Sequence, residues 1–177
     1  YLTKEGTKKE EIIQLPQHDA TQSTKRNKRE RIAHAKVSKE DFEIFKGVKI
    51  LVAEDNVINQ KVAILNLEKL GHSILAVSDG VQAVEAFVKE RPDVIFMDVQ
   101  MPKMDGVEAT SKIREWESLN KVTNRVPIVA MTANPLQSDK ELFVSAGMDD
   151  YLGKPFNSGE LVWLLHRIYK QLEQKNI

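Results

Sequence analysis

Asp93-Val94-Ile95-Phe96-Met97-Asp98, followed at once by Val99-Gln100-Met101-Pro102, is the stretch that decides how this chain folds. Four large apolar residues stand in an unbroken row between two aspartates. A strand with one wet face alternates apolar and polar residues, whereas a parallel strand covered on both faces has no need to. The row is short for a buried helix and a proline soon follows it. It therefore reads as a buried strand, with Asp98 at its carboxyl end.

Outward from this strand, four more continuous apolar runs appear, at Val48–Ala53, Ile74–Val77, Val126–Met131 and Asp150–Leu152. Segments with helical spacing separate them. Ile58, Val62 and Leu65 mark the first, with Leu70-Gly71 as its stop; Val81, Val84 and Phe87 mark the second; Val107 and Ile113 mark the third. Leu142 with Ala146-Gly147 marks the fourth, and Leu161, Leu164, Leu165 and Ile168 mark the last. Strands alternating with helices predict one parallel sheet covered on both sides, an α/β doubly wound (βα)5 domain over residues 47–177. In such a sheet the working crevice lies at the carboxyl ends of the strands.

Residues 1–46 have a different character. They carry 11 Lys/Arg and 8 Asp/Glu, and residues 3–41 are rich in Lys, Glu, Gln, Thr and Ser with few apolar residues. Such a composition buries too little surface to offset the entropy of ordering and reads as a linker or extension. Within it, Ile32, Phe42 and Phe45 are candidates to dock on the following domain. The basic run Lys25-Arg26-Asn27-Lys28-Arg29 has no interleaved aromatics and is followed by acids, so a solvated linker is favoured over a nucleic-acid arm. The chain has no cysteine, which excludes disulfides and thiolate chemistry. No run approaches the roughly 18 apolar residues of a membrane span. The start at Tyr1, without a Met or a leader pattern, suggests a piece of a longer cytoplasmic protein.

The ends of the expected strands gather chemistry. Glu54-Asp55 follows the first strand, Asp98 ends the third, Thr132 the fourth, and Lys154-Pro155 the fifth. Singly each has an ordinary explanation: a helix-start acid pair, a cap, a surface lysine. Jointly they bring three carboxylates, a hydroxyl and an ammonium to one rim. Crowded carboxylates raise one another's pKa unless a cation compensates. Oxygen ligands without His or Cys favour a hard ion, and Mg²⁺ suits a site that must also take substrate oxygens. One carboxylate can then attack phosphorus to form an acyl phosphate. Asp98 is the expected nucleophile, because Met101-Pro102 and Asp105-Gly106 make the loop after it tight. Lys154 would neutralise phosphoryl charge and Thr132 would hydrogen-bond a phosphoryl oxygen.

The segments ILVAEDNVINQ (50–60), VIFMDVQMPKMDG (94–106), PIVAMTAN (127–134) and MDDYLGKPF (148–156) resemble those of response-regulator receiver domains. They look most like the carboxyl-terminal receiver of hybrid sensor histidine kinases. The resemblance covers residues 47–177 and implies a flavodoxin-like fold. It also implies that Asp98 is phosphorylated, that Asp55, Asp98 and the backbone carbonyl of Gln100 ligate Mg²⁺, and that Glu54 acts mainly through water. Lys154, Thr132 and the Ala133 amide would contact the phosphoryl group, and Tyr151 would be a switch aromatic that turns inward when Thr132 moves. The family's commonest acid pair is Asp-Asp, so Glu54 is a departure. Partners implied are a histidine kinase or a histidine phosphotransfer protein. Apolar Ile58 and Phe156, flanking the acidic rim, are candidates to dock such a donor. No nucleic-acid or membrane contact is implied.

Rival readings remain. A haloacid-dehalogenase-like phosphatase would need a second aspartate two positions after the nucleophile, where Gln100 stands. A pseudo-receiver, acting as an interaction module without phosphorylation, would typically have lost an acid, the Asp or the Lys. No glycine-rich ATP-binding segment marks the chain itself as a kinase, and none of His18, His34, His72 or His166 sits in a phosphoacceptor setting; His72 is expected at a helix–strand turn and His166 on the last helix. Two features stay unassigned at this stage. The polar segment Glu115–Arg125 is longer than a usual connection, and Tyr1-Leu2-Thr3-Lys4 echoes Tyr151-Leu152-Gly153-Lys154. An unrelated linker is favoured for that opening, with the tail of a preceding receiver as the alternative.

Overall fold

The computed structural model describes residues 47–133 and 137–175. The docking expectation for Ile32, Phe42 and Phe45, and the echo at Tyr1–Lys4, lie outside the described residues.

Five strands alternate with five helices: β1 (Lys49–Ala53), α1 (Val57–Lys69), β2 (Ser73–Val77), α2 (Gly80–Glu90), β3 (Val94–Asp98), α3 (Gly106–Leu119), β4 (Ile128–Thr132), α4 (Gln137–Ala146), β5 (Asp150–Gly153) and α5 (Ser158–Lys175). All strand pairings are parallel, in the order β2-β1-β3-β4-β5. This is the flavodoxin-like doubly wound sheet. Its order reverses between β1 and β3, and the crevice opens above the carboxyl ends of those two strands.

The unbroken apolar rows of β1, β3 and β4 serve two cores. Ile50, Val52, Val94, Phe96, Val129 and Met131 face Ala63 and Leu67 of α1 and Leu161, Leu164, Leu165 and Ile168 of α5. Leu51, Ala53, Ile95, Met97, Ile128 and Ala130 face Ala83 and Phe87 of α2, Ile113 of α3 and Phe143 of α4. Both faces of a strand are thus dry, which is why none of the three alternates in hydrophobicity.

Strand positions agree with the sequence to within one or two residues, the largest shift being β4, which begins at Ile128 and not Val126. Some helix faces do not agree. Ile58, Val62 and Leu65 are exposed, and Ala63 and Leu67 hold α1 to the sheet. α1 is apolar on more than one side, and the small Ala63 lets its backbone approach closely, leaving the larger stripe outside. On α4, Phe143 is buried and Leu142 exposed; on α2, Val81 is also exposed. In α5 all four expected residues are buried.

The polar segment Glu115–Arg125 also has a structural account. α3 runs to Leu119, and buried Glu117 accepts hydrogen bonds from the Val126 amide (2.7 Å) and from Arg114 (2.7 Å). Arg114 continues to the Gly147 carbonyl (2.8 Å) and to Asp149 (2.8 Å), whose carboxylate also accepts the Ile128 amide. The segment is a brace that sets the height at which β4 enters the sheet.

Candidate functional site

At the carboxyl end of β1 the backbone turns from Ala53 into Glu54-Asp55, and Asn56 caps α1, its Oδ1 accepting the amides of Ile58 (3.0 Å) and Asn59 (3.1 Å). Gln60 reaches back from α1 and donates to the carbonyls of Glu54 (3.0 Å) and Val77 (2.9 Å), clamping the ends of β1 and β2 together. Glu54 is 2% exposed, whereas Asp55 stands in the open crevice. Asp98 ends β3 and is buried, and one carboxylate oxygen from each of Glu54, Asp55 and Asp98 lies within 4.8 Å of the others.

The close turn after Asp98 depends on a missing side chain. Gly106, the first residue of α3, donates its amide to the Val99 carbonyl at 3.0 Å, and a Cβ there would stand 2.1 Å from the Asp98 carbonyl oxygen. No other residue type fits. α3 therefore starts directly behind Asp98; the tight loop does not expose the carboxylate as expected, since Asp98 stays buried beside Lys154. Within the loop, the Gln100 amide donates to Asp98 Oδ1 at 3.2 Å.

β4 and β5 bring the remaining groups. Asp98 pairs with Met131 and Thr132 with Gly153, so Thr132 stands one position further along the same rim. Thr132 is buried, Ala133 exposed, and the Lys154 amide donates to the Thr132 carbonyl at 2.7 Å. Lys154 Nζ lies 2.8 Å from Glu54 Oε2 and 2.9 Å from Asp98 Oδ2, bridging the two buried acids.

Electrostatics follow from this packing. Burial, and then repulsion from Glu54, push the Asp98 carboxyl above its ordinary value, against the pull of Lys154 and the Gln100 amide. Lys154 is opposed by its own burial, yet its hydrogen bonds to Glu54 and Asp98 prevail and hold its pKa up. The clustered donors are carboxylate oxygens with excess negative charge, which fits a hard divalent cation.

Two further expectations fall on the surface. Tyr151 is 38% exposed, with the Lys140 ammonium 4.6 Å from its ring centroid, so its aromatic face is directed outward. Ile58 is 72% exposed beside the acid turn, continuing into the stripe with Val62 and Leu65. Phe156 is half-buried against the α1/α5 core and is a weaker candidate anchor. Gln60 and Asn56 were overlooked as site residues, though the Asn/Gln-rich opening of α1 carried the signal.

A family model described as the response regulator receiver domain matches residues 50–166. The sensor histidine kinase GacS of Pseudomonas protegens is 42% identical over 113 residues, covering 64% of this chain and 12% of that protein. Hybrid signal transduction histidine kinase I of Dictyostelium discoideum is 40% identical over 132 residues, covering 71% of this chain and 8% of that protein. The chain thus spans a small fraction, 8% to 12%, of the length of these curated relatives. Among solved structures, the receiver domain of sensor histidine kinase PA1611 from Pseudomonas aeruginosa, with magnesium coordinated in its active site cleft, is 46% identical with TM-score 0.62. That match covers 68% of this chain and 96% of the other. The receiver in the Saccharomyces cerevisiae co-crystal of Ypd1 and Ssk1 is 35% identical with TM-score 0.62, over 72% and 87% of the two chains. The strand order, the four rim segments and the family match converge, and this chain belongs to the response regulator receiver domain family.

Proposed function

We propose that residues 47–177 form a phosphoacceptor domain of a two-component phosphorelay in which Asp98 takes a phosphoryl group from a phosphohistidine partner. The observation that carries this reading is the trio of carboxylates within 4.8 Å, bridged by Lys154 at 2.8 and 2.9 Å. An Asp98 oxygen forms the new bond to phosphorus while the P–N bond breaks and the imidazole leaves with its electron pair. Asp55, Asp98 and the Gln100 carbonyl would hold Mg²⁺, with Glu54 acting through water; when bound, the ion neutralises phosphoryl charge. Lys154 supplies a second positive charge, and Thr132 and the Ala133 amide hydrogen-bond the transferred oxygens. Drawing Thr132 toward the phosphoryl group frees space for Tyr151 to turn inward, altering the face offered to partners.

The donor is a histidine kinase or a histidine phosphotransfer protein, docking on Ile58 with a lesser part for Phe156. Among the described residues no helix is long and apolar enough to cross a membrane. We assign the domain to the cytoplasm, with residues 1–46 as a linker or extension. The parent is read as a hybrid kinase, on the identity to GacS and the Dictyostelium protein.

Acetyl phosphate with Mg²⁺ should add one hydroxylamine-labile phosphoryl group by mass, lost in Asp98→Asn. No labelling of the wild type by acetyl phosphate or by a phosphohistidine donor would favour the pseudo-receiver; undiminished labelling of Asp98→Asn would sink the acceptor assignment.

A further inference from the structure

Beyond the phosphoryl reading and the Glu117 brace, one buried acid is left unused. Asp79 lies in the β2–α2 turn with its side chain 3% exposed, and its two oxygens do different work. Oδ1 caps α2, accepting the Gln82 amide at 2.8 Å. Oδ2 accepts Lys103 Nζ at 2.6 Å, from a residue in the loop that follows Asp98. A helix cap requires only the first of these contacts.

The second contact spans two loops on the crevice rim. The β3–α3 loop carries Gln100, and its backbone runs through Lys103 at φ +64°, a left-handed conformation uncommon for residues other than glycine. Next to Lys103, the Met104 carbonyl accepts the Gly80 amide at 3.0 Å, and a Cβ on Gly80 would stand 2.3 Å from that oxygen. The two turns therefore touch through backbone at one point and through an ion pair at the next. Lys103 is otherwise 64% exposed, so the pair contributes little as a surface salt bridge. Its geometry instead limits where the loop can stand.

We propose that the Asp79–Lys103 pair is a strap that positions the β3–α3 loop, and with it the Gln100 carbonyl, for the cation held at the crevice. The proposal rests on the Mg²⁺ reading given above. Both residues act through the loop and touch neither cation nor phosphoryl group.

Two variants cut the strap while sparing the helix cap. Lys103→Met keeps the aliphatic stem, and Asp79→Asn keeps Oδ1. Charge alone predicts opposite effects on Mg²⁺ affinity: losing the lysine would tighten binding and losing the aspartate would weaken it. A strap predicts that each variant weakens Mg²⁺ by roughly tenfold, the usual scale for groups that orient a ligand. The double variant should be no weaker than either single one. Lys103→Arg should restore binding, and in Mg²⁺-free protein the Val99–Asp105 amides should exchange hydrogen faster in each cut variant. Titration calorimetry with MgCl₂ and hydrogen exchange read these outcomes. Opposite-signed effects, or affinities equal to wild type, would overturn the strap. A wild-type chain that binds Mg²⁺ no better than Asp55→Ala would overturn the cation reading and the strap with it.

Discussion

Glu54 and Lys154 are joined by a 2.8 Å hydrogen bond from Nζ to Oε2, and the same ammonium stands 2.9 Å from Asp98. Glu54 is the first of the acid pair that follows β1. Its side chain, one methylene longer than an aspartate's, lets the carboxylate reach the lysine while its other oxygen accepts the Asn56 amide at 3.2 Å. The charge of the two buried acids is thus neutralised in part by Lys154.

Lys154→Met should therefore cost more without Mg²⁺ than with it. Removing the ammonium leaves two buried carboxylates uncompensated, a loss of about 3 kcal/mol in the metal-free protein. Saturating Mg²⁺ should recover much of this. Urea unfolding with EDTA or with MgCl₂ measures both values, and equal losses would show that cation and lysine do not share the charge.

The Asp98 carboxyl sits above its ordinary value, so the folded protein binds this proton more readily than the unfolded chain. The sign follows directly. Acidification through the folded pKa of Asp98 adds stability, and above it the ionised group is a standing cost. Asp98→Asn should stabilise the metal-free protein near pH 7 by on the order of 1 kcal/mol, discounted for water in the crevice. The gap between variant and wild type should narrow as pH falls. A gap that widened with acid would contradict the assignment.

His72 behaves oppositely. It sits between α1 and β2, its Nδ1 has no hydrogen-bond partner, and burial lowers its pKa. The neutral ring is favoured in the fold. Stability is complete above the ordinary histidine value of 6.5 and declines as pH falls, because the unfolded chain takes up the proton first. His72→Gln should flatten this slope between about pH 7 and 5, as thermal melts across that range would show.

Docking is separable from chemistry. Ile58→Ala should slow transfer from a phosphohistidine protein severalfold, and acetyl phosphate labelling should not change. Phe156→Ala should slow transfer less, and it should also destabilise the domain, because that ring packs on the core. Slowing of both donors by Ile58→Ala would place the damage at the site itself.

Much of the fold was legible because β1, β3 and β4 are buried on both faces, so each reads as an unbroken apolar row. The rim was legible because successive strand ends deliver its groups in chain order. The outer face of α1 was not. Ile58, Val62 and Leu65 have the spacing of a core stripe, and only tertiary packing shows that Ala63 and Leu67 hold that place. The brace at Glu117 was equally hidden. It depends on Arg114, Val126 and Asp149 meeting across a turn, and polar composition alone reads as loop.

The ion pair between Glu54 and Lys154 joins residues 100 positions apart. During synthesis, β1 to β4 emerge from the ribosome before the lysine exists. A nascent or truncated chain can pair those four strands and still hold three clustered carboxylates with no ammonium to bridge them. The charge balance of the rim therefore comes late in the chain's history, after β5 has added itself to the edge of the sheet. The contact marks the point at which β5 has joined the sheet, with α5 (Ser158–Lys175) and its core residues still to follow.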